Sequence, residues 1–588
     1  MENMHTVTRT PLANSWDHRR ADGYDVVVIG SGYGGAITAA RLATANWPGA
    51  KPSVCVLERG KEWLPGQFPD NLEAGAGALR SDLDPLGLYD FHFGTDIAVV
   101  KGSGLGGTSL VNANVAYQPE DDLFDEDRWP QAIRNASDSG ELGQYYARAR
   151  STLFAERHPH GNDLSKVKAL KRGSDGKPGT EFDLLDIAVN FKFEGPNNWG
   201  VRQRKCINCG DCVTGCNVGA KNTLDTNYLA LAKHGGAHIF TQVEVRRIEK
   251  LQAGGYLVHY TRRESAQGPR ENGTLKAKRA VVVAAGSLGS TVLMLRSRLE
   301  GLSLPDTLGT RFSGNGDFFG LAYNSDVRSD VLGWGAHPTG DRARRLQPSA
   351  GETRFPGPSI VARLRYKKGG RPGKRITVED LSFPLMYVDA ARAAFSVLIG
   401  RDTDPDDFFD DLDEARRRLL DVGAFNPELE KGALNFTMLY LVMGRDDAGG
   451  RVELDSAGRS RIRWPDVGRQ KVFTRQNNLL LEHAKALGAT FIENPLWGFT
   501  PFRTLITAHP LGGCPLGEDQ SSGLVNDRGQ VFDRAGGTHD GLYISDGSII
   551  PMAIGVNPLL TISALSERIA DGLIGQMGGT PFIVDHIG

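Results

Sequence analysis

Four of the six cysteines fall within eleven residues, in the run Cys206-Ile-Asn-Cys209-Gly-Asp-Cys212-Val-Thr-Gly-Cys216. The spacing C-x2-C-x2-C-x3-C is that of loops whose thiolates wrap an iron–sulfur cluster, although Asn217 stands where such loops carry proline. Structural zinc more often joins two C-x2-C knuckles a dozen or more residues apart, and no histidine stands beside this run. The run therefore reads as an iron–sulfur site, [4Fe–4S] or [3Fe–4S], with Cys206, Cys209, Cys212 and Cys216 as ligands. Zinc, disulfides and a relic structural loop stay open as alternatives. Gly210, Gly215 and Gly219 would let backbone amides turn toward the sulfides. Cysteines gathered at one place, and not spread as a disulfide framework, suit a reducing compartment.

A second chemistry is written in glycines. Gly30, Gly32 and Gly35 make G-x-G-x-x-G between the β-branched run YDVVVI and an alanine-rich helical pattern. In that context backbone amides and a helix N-terminus face a pyrophosphate. Glu58 ends the next apolar run, where a carboxylate accepts hydrogen bonds from ribose hydroxyls and repels a 2′-phosphate, which argues against NADP. The bland alternative is a structural strand–helix turn. Downstream, Gly102-Ser103-Gly104-Leu105-Gly106-Gly107-Thr108-Ser109 leads to Asn112, a long stretch poor in side chains that suits backbone lying against a flat ring.

The elements that must position these groups follow from local pattern. The strand, helix and strand around Gly30 to Glu58 form a β-α-β unit. A second strand–turn–helix lies at RAVVVAAGSLGSTVLMLRS, with Val281 to Val283 in a buried strand and Ser290 to Arg296 in the helix. The stretch 120–204 is polar and irregular, with one helical segment near 141–156. From about 323 to 500 the runs ALNFTMLYLVM and RVELDSAGRSRIRW suggest an antiparallel sheet, and DPDDFFDDLDEARRRLLD, from Asp404, an acidic-fronted helix. GLYISDGSIIP and NPLLTISALSERIADGLIG then return to strand and helix, with Pro558 in the first helical turn.

Composition bounds the class. The 588 residues exceed one simple core. Lys+Arg 68 against Asp+Glu 70 leaves −2, so no basic surplus exists for a phosphate backbone and nucleic acid is excluded as a partner. Glycine supplies 73 residues without a Gly-X-Y period, which excludes collagen and points to many special backbone positions. No run approaches the ~18 apolar residues of an integral membrane segment, and no secretory h-region follows the N-terminus. A cytoplasmic location is expected.

Together with VVVAAGSLGST, AHPLGGCPLG at Ala508 to Gly517 and LYISDGSIIPMAIGVNPLLTISALSER, these motifs resemble the glucose-methanol-choline (GMC) family of FAD oxidoreductases, and within it the cholesterol oxidase branch. The resemblance runs from Tyr24 to about Leu573 and is thinnest in the middle. It implies FAD held by Gly30, Gly32, Gly35 and Glu58, by Gly106, Gly107 and Asn112, by Val245 on the adenine side, and by Asp546 and Gly547 near the isoalloxazine. It implies His509 and Asn557 as the pair that binds an alcohol oxygen, with Glu379 in RITVEDLSFP as a buried proton carrier. Taken as residues alone, His509 is more often a satisfied histidine of an H-P turn, and Glu379 a solvated edge carboxylate. The cysteine run also resembles the cysteine loop of FAD-dependent glucose dehydrogenases.

The expectation is an α/β protein: an interrupted Rossmann-type FAD domain (22–120, 222–322 and 501–576), a connecting segment with the cysteine loop (121–221) and an α+β substrate domain on an antiparallel sheet (323–500). The expected activity is hydride transfer from a carbinol carbon to flavin N5. The alcohol is sterol-like, terpenoid, aromatic or a sugar, and electrons pass through an iron–sulfur cluster to a one-electron acceptor protein. The alternatives are an oxygen-using alcohol or cholesterol oxidase with a structural cysteine loop, and a non-catalytic redox-sensing flavoprotein.

Overall fold

A computed structural model describes residues 6–582 apart from 175–177, 337–354, 368–371, 398–399, 405–407, 423–430 and 499–502. Residues 405–407 of the acidic segment that begins at Asp404 thus lie outside the described residues; the segment's helix runs Phe408–Val422.

Tyr24–Ile29 is β-branched and almost wholly buried, as a strand covered on both faces must be. It sits at the centre of a sheet ordered His238–Phe240, Val54–Leu57, Tyr24–Ile29, Glu271–Val283, Tyr256–Arg262, Val243–Lys250. The strand Glu271–Val283 changes character along its length. Its first part pairs antiparallel with Tyr256–Arg262 and has mixed exposure. Its last residues pair parallel with Tyr24–Ile29 on one side and Leu542–Ile544 on the other and are fully buried. The helix Tyr33–Thr44 is buried nearly all round, because it packs between the helices Tyr228–His234 and Leu559–Gln576.

A second sheet is antiparallel throughout: Thr490–Ile492, Phe318–Tyr323, Met438–Met443, Ile376–Leu381, Ala362–Tyr366, Thr180–Leu184. The expected antiparallel sheet is present, with three differences. The strand Thr180–Leu184 comes from the stretch read as a connecting segment. Phe318–Tyr323 joins this sheet from a segment read as part of the FAD domain. RVELDSAGRSRIRW forms its own hairpin, Arg451–Leu454 with Ser460–Arg463. A small third sheet pairs Leu505–Thr507 with Ile97–Gly102, bringing the segment before His509 next to the glycine-rich loop.

The stretch before the cysteines also holds helices at Gln131–Asp138 and Ser165–Arg172 besides Glu141–Thr152. Their alternating polar faces hide them in a polar composition. Among the described residues no helix is long and apolar enough to cross a membrane.

Candidate active site

The carboxyl ends of the central strands lie level, since Gly30 N donates to Leu57 O, Ala284 N to Ile29 O and Ser545 N to Val283 O. Ligands of open α/β sheets bind beyond such ends. A cavity of about 900 Å³ opens there, lined by Gly30, Gly32, Glu58, Gly107, Asn112, Val245, His509, Asp546, Gly547 and Asn557. Of the expected cofactor residues, Gly35 and Gly106 stand behind this lining. Gly35 is a packing glycine: a Cβ there would meet Gly30 O at 2.1 Å. Gly106 (φ +106°) donates its amide to Ser31 Oγ and shapes the loop from a left-handed position.

The cavity fits FAD on its own geometry. Three helices start at its wall, Tyr33–Thr44, Gly286–Leu299 and Leu559–Gln576, and their free amides and positive dipole ends suit a pyrophosphate. Among the described residues a Cβ added to Gly32 meets no atom within 4 Å, whereas one on Gly34 would strike Ser545 O at 1.5 Å. Gly32 is thus the point where backbone is bare toward the cavity. Glu58 Oε2 accepts from Ser31 N (3.1 Å) and Oγ (2.6 Å), and Oε1 from Gly60 N, which fixes the carboxylate at the cavity wall with acceptor capacity left. Asp546 accepts from Gly286 N and Ser290 Oγ on one oxygen and from Ser548 N and Oγ on the other. Four bonds occupy its lone pairs, so it acts by ordering the helix start at Gly286. Burial pushes its pKa upward against those bonds.

Of the three residues implied for alcohol chemistry, His509 and Asn557 line the cavity, and Glu379 is hydrogen-bonded to Asn557. His509 Nδ1 lies 2.8 Å from Asp317 Oδ1. Asp317 Oδ2 accepts from Ala508 N, so the carboxylate faces the histidine loop as an acceptor and Nδ1 carries the proton. Nε2 remains the acceptor of the ring. Asn557 Nδ2 donates to Glu379 Oε2 at 3.1 Å. Glu379 is fully buried on the strand Ile376–Leu381, in register with Leu441 and Arg363, and is no solvated edge carboxylate. Burial raises its pKa to about 8, Asn557 opposes the shift, and the nearby Asp380 and Asp317 charges add to it. At neutral pH it is a carboxylic acid. Among the described residues Asn557 Oδ1 and Glu379 Oε1 have no hydrogen-bond partner. Beneath, Asp380 pairs with buried Lys166 at 2.9 Å.

The iron–sulfur expectation finds no support in the structure. Among the described residues no three or more His, Cys, Asp or Glu side chains are gathered so as to hold a metal ion, and Cys206, Cys209, Cys212 and Cys216 are free thiols. Burial pushes the thiols of Cys206, Cys209 and Cys212 up. No finding supports an iron–sulfur cluster at this run. The glycines read as turning amides to sulfides are fitted against neighbours: a Cβ on Gly215 would meet Phe68 at 2.2 Å, and one on Gly219 would meet Val7 at 2.3 Å. Cys206, Cys209 and Cys216 pack around Val218, Ala220 and Ala336. Buried Lys221 donates to Cys212 O, Leu110 O and Asn112 O, tying the run to the glycine-rich loop.

Sequence reasoning missed Ser31, Asn315 and Asp317. Ser31 sits inside the glycine fingerprint. Asn315 and Asp317 lie in the turn Ser-Gly-Asn-Gly-Asp, whose alternation of glycine with short polar residues marks a special backbone.

GMC oxidoreductase family models match residues 24–312 and 493–566. The chain is 27% identical to a cholesterol oxidase of Acinetobacter baumannii, covering 93% of each chain. It is 27% identical to a cholesterol oxidase of Mycobacterium tuberculosis, covering 93% of this chain and 90% of that one. A long-chain-alcohol oxidase of Arabidopsis thaliana is 23% identical, covering 93% of this chain and 67% of that one. Pyridoxine 4-oxidase from Mesorbium loti shares the fold, with a TM-score of 0.53 at 16% identity over 93% of this chain and 98% of that one. The two matched segments carry the strand ends, glycine loops and His509–Asn557 arms that wall the cavity, and the chain belongs to the GMC oxidoreductase family as an FAD-dependent oxidoreductase acting on CH–OH donors.

Proposed function

We propose that the protein oxidises an apolar alcohol to its ketone or aldehyde, with His509 and Asn557 holding the alcohol oxygen. FAD bound in the cavity supplies the acceptor for the carbinol hydride. Nε2 of His509, kept as an acceptor by the Nδ1 bond to Asp317, takes the hydroxyl proton. Asn557 gives one Nδ2 hydrogen to Glu379 and has a second to donate to the alcohol oxygen as the other polar contact. Glu379, neutral at pH 7, offers a proton donor on Oε1 and keeps a negative charge away from the reacting carbon. Gly30, Gly32, Glu58, Gly107, Asn112, Val245 and Gly547 would hold FAD, with Gly35, Gly106 and Asp546 shaping the backbone that does so. We assign residues 22–120, 222–322 and 501–576 to FAD binding and 323–500 to substrate binding, the latter extended by the strands Phe318–Tyr323 and Thr180–Leu184 of its sheet.

One observation carries the substrate class: Val115, Phe319, Ile360, Leu381, Leu441 and Ile506 line the same cavity as His509 and Asn557. A sugar would leave its hydroxyls unpaired there, whereas a sterol or long-chain alcohol buries apolar area at ~25 cal/mol per Å². The oxidase reading with a structural cysteine loop is better supported than the cluster relay, because the relatives are named oxidases and the thiols form no ligand group. The test is turnover with cholesterol, 1-dodecanol and glucose in air. Peroxide formed with either of the first two and not with glucose supports the reading; flavin that none of the three bleaches anaerobically refutes it.

A further inference from the structure

The two polar arms of the site are far apart in the chain, yet both are fastened by one five-residue turn. Ser313-Gly314-Asn315-Gly316-Asp317 enters the strand Phe318–Tyr323 of the antiparallel sheet. Asp317, buried, takes His509 Nδ1 on Oδ1 (2.8 Å), and Ala508 N (3.0 Å) and the Thr507 hydroxyl (2.8 Å) on Oδ2. Asn315, two residues earlier and also buried, takes Ile554 N (3.0 Å) and Gly555 N (2.9 Å) on Oδ1 and donates Nδ2 to Val556 O (2.8 Å), the residue before Asn557.

The turn is itself rigid. Asn315 (φ +57°) and Gly316 (φ +62°) are left-handed, and a Cβ on Gly316 would meet Gly444 O at 2.6 Å. Asp446 accepts from Ser313 Oγ and Gly316 N. Ser313 and Leu511 exchange both backbone hydrogen bonds.

We propose that Asp317 is a positioning residue for alcohol oxidation: it fixes the ring direction and tautomer of His509, while Asn315 on the same turn sets the Asn557 segment opposite it. The inference rests on the reading of His509 as the proton acceptor. A carboxylate only accepts, so it selects the tautomer with hydrogen on Nδ1; an amide in its place can donate to Nδ1 and favours the tautomer whose Nε2 is already protonated.

The test is anaerobic stopped-flow flavin reduction by cholesterol or 1-dodecanol, with FAD content and visible spectrum measured on each variant. Asp317→Asn should keep FAD and the substrate concentration for half-maximal rate, while the limiting rate falls at least ~10²-fold, the scale of a lost positioned base or a wrong tautomer. Asp317→Glu, which restores an acceptor, should recover much of that loss, and it carries the comparison if Asp317→Asn does not retain FAD. His509→Ala/Asp317→Asn should be no slower than His509→Ala, because Asp317 acts through the ring. The proposal is overturned if His509→Ala is slow while Asp317→Asn and Asp317→Glu both reduce near the wild-type rate. It is also overturned if the Asp317 loss multiplies fully onto His509→Ala. Wild-type rates in His509→Ala overturn the functional reading first, and this inference with it.

Discussion

Asn557 donates Nδ2 to Oε2 of Glu379 at 3.1 Å across two segments 178 residues apart, and among the described residues one oxygen of each has no partner. The pair links the C-terminal loop of the dinucleotide half to a central strand of the antiparallel sheet. Its protonation state governs whether the amide faces an acid or a charge. Glu379 has its pKa raised from 4.5 to about 8. Below pH 4.5 the group is protonated in both folded and unfolded chains. Between 4.5 and about 8 the folded form holds a proton the unfolded form has lost.

The stabilisation from neutral Glu379 is therefore complete at low pH and is lost as pH rises through about 8, with a slope of at most ~1.4 kcal/mol per unit. Glu379→Gln cannot titrate. Thermal midpoints measured from pH 5 to 8.5 should fall more steeply for the wild type than for this variant, and parallel curves would refute the buried acid.

His509→Ala should slow anaerobic flavin reduction by about 10² or more while FAD stays bound. Asn557→Ala removes a hydrogen bond and no proton carrier, so a loss of roughly tenfold is expected, about 1.4 kcal/mol. A rapid-mixing trace of flavin absorbance separates the two, and a larger loss in Asn557→Ala would reverse their roles.

The glycines of the fingerprint should fail in different ways. Gly32→Val places its branch in open cavity and should give folded protein that purifies without FAD. Gly34→Val meets Ser545 O and should lower the thermal midpoint of the whole protein or prevent folding. Circular dichroism with flavin absorbance distinguishes these outcomes, and yellow Gly32→Val protein would contradict the close backbone approach.

Lys221→Met leaves Leu110 O, Asn112 O and Cys212 O without their shared donor. Each unsatisfied buried acceptor costs ~1–3 kcal/mol, so a loss of several kcal/mol is expected, together with faster FAD release because Asn112 lines the cavity. Unfolding by urea and dilution-driven flavin loss measure the two parts. A variant as stable as the wild type would remove the link between the cysteine run and the glycine-rich loop.

Where local backbone demands dominate, the sequence is a sufficient guide. Gly30, Gly32, Gly35 and Glu58 are readable because a strand, a tight turn and a helix N-terminus constrain residues within one short unit. The helices beginning at Gly286 and Leu559 are legible for the same reason: periodicity and turn residues act over a few positions. The antiparallel character of the middle region follows from alternation, but its partners do not, and Thr180–Leu184 reaches that sheet from far upstream.

His509, Asn557 and Glu379 are nameable from family resemblance, yet nothing in their surrounding residues says that Glu379 is buried and neutral or that His509 leans on Asp317. Those facts depend on the register of Ile376–Leu381 in its sheet and on the path of the Ser313–Asp317 turn between two loops. The cysteine run shows the same limit from the other side. Its spacing is that of a cluster loop, but its backbone is fitted against Phe68, Val7 and Lys221, residues outside the run. Short-range geometry is encoded in neighbouring residues and thus in sequence pattern. Burial, proton affinity and side-chain convergence belong to groups brought together from distant segments, and only the tertiary structure decides them.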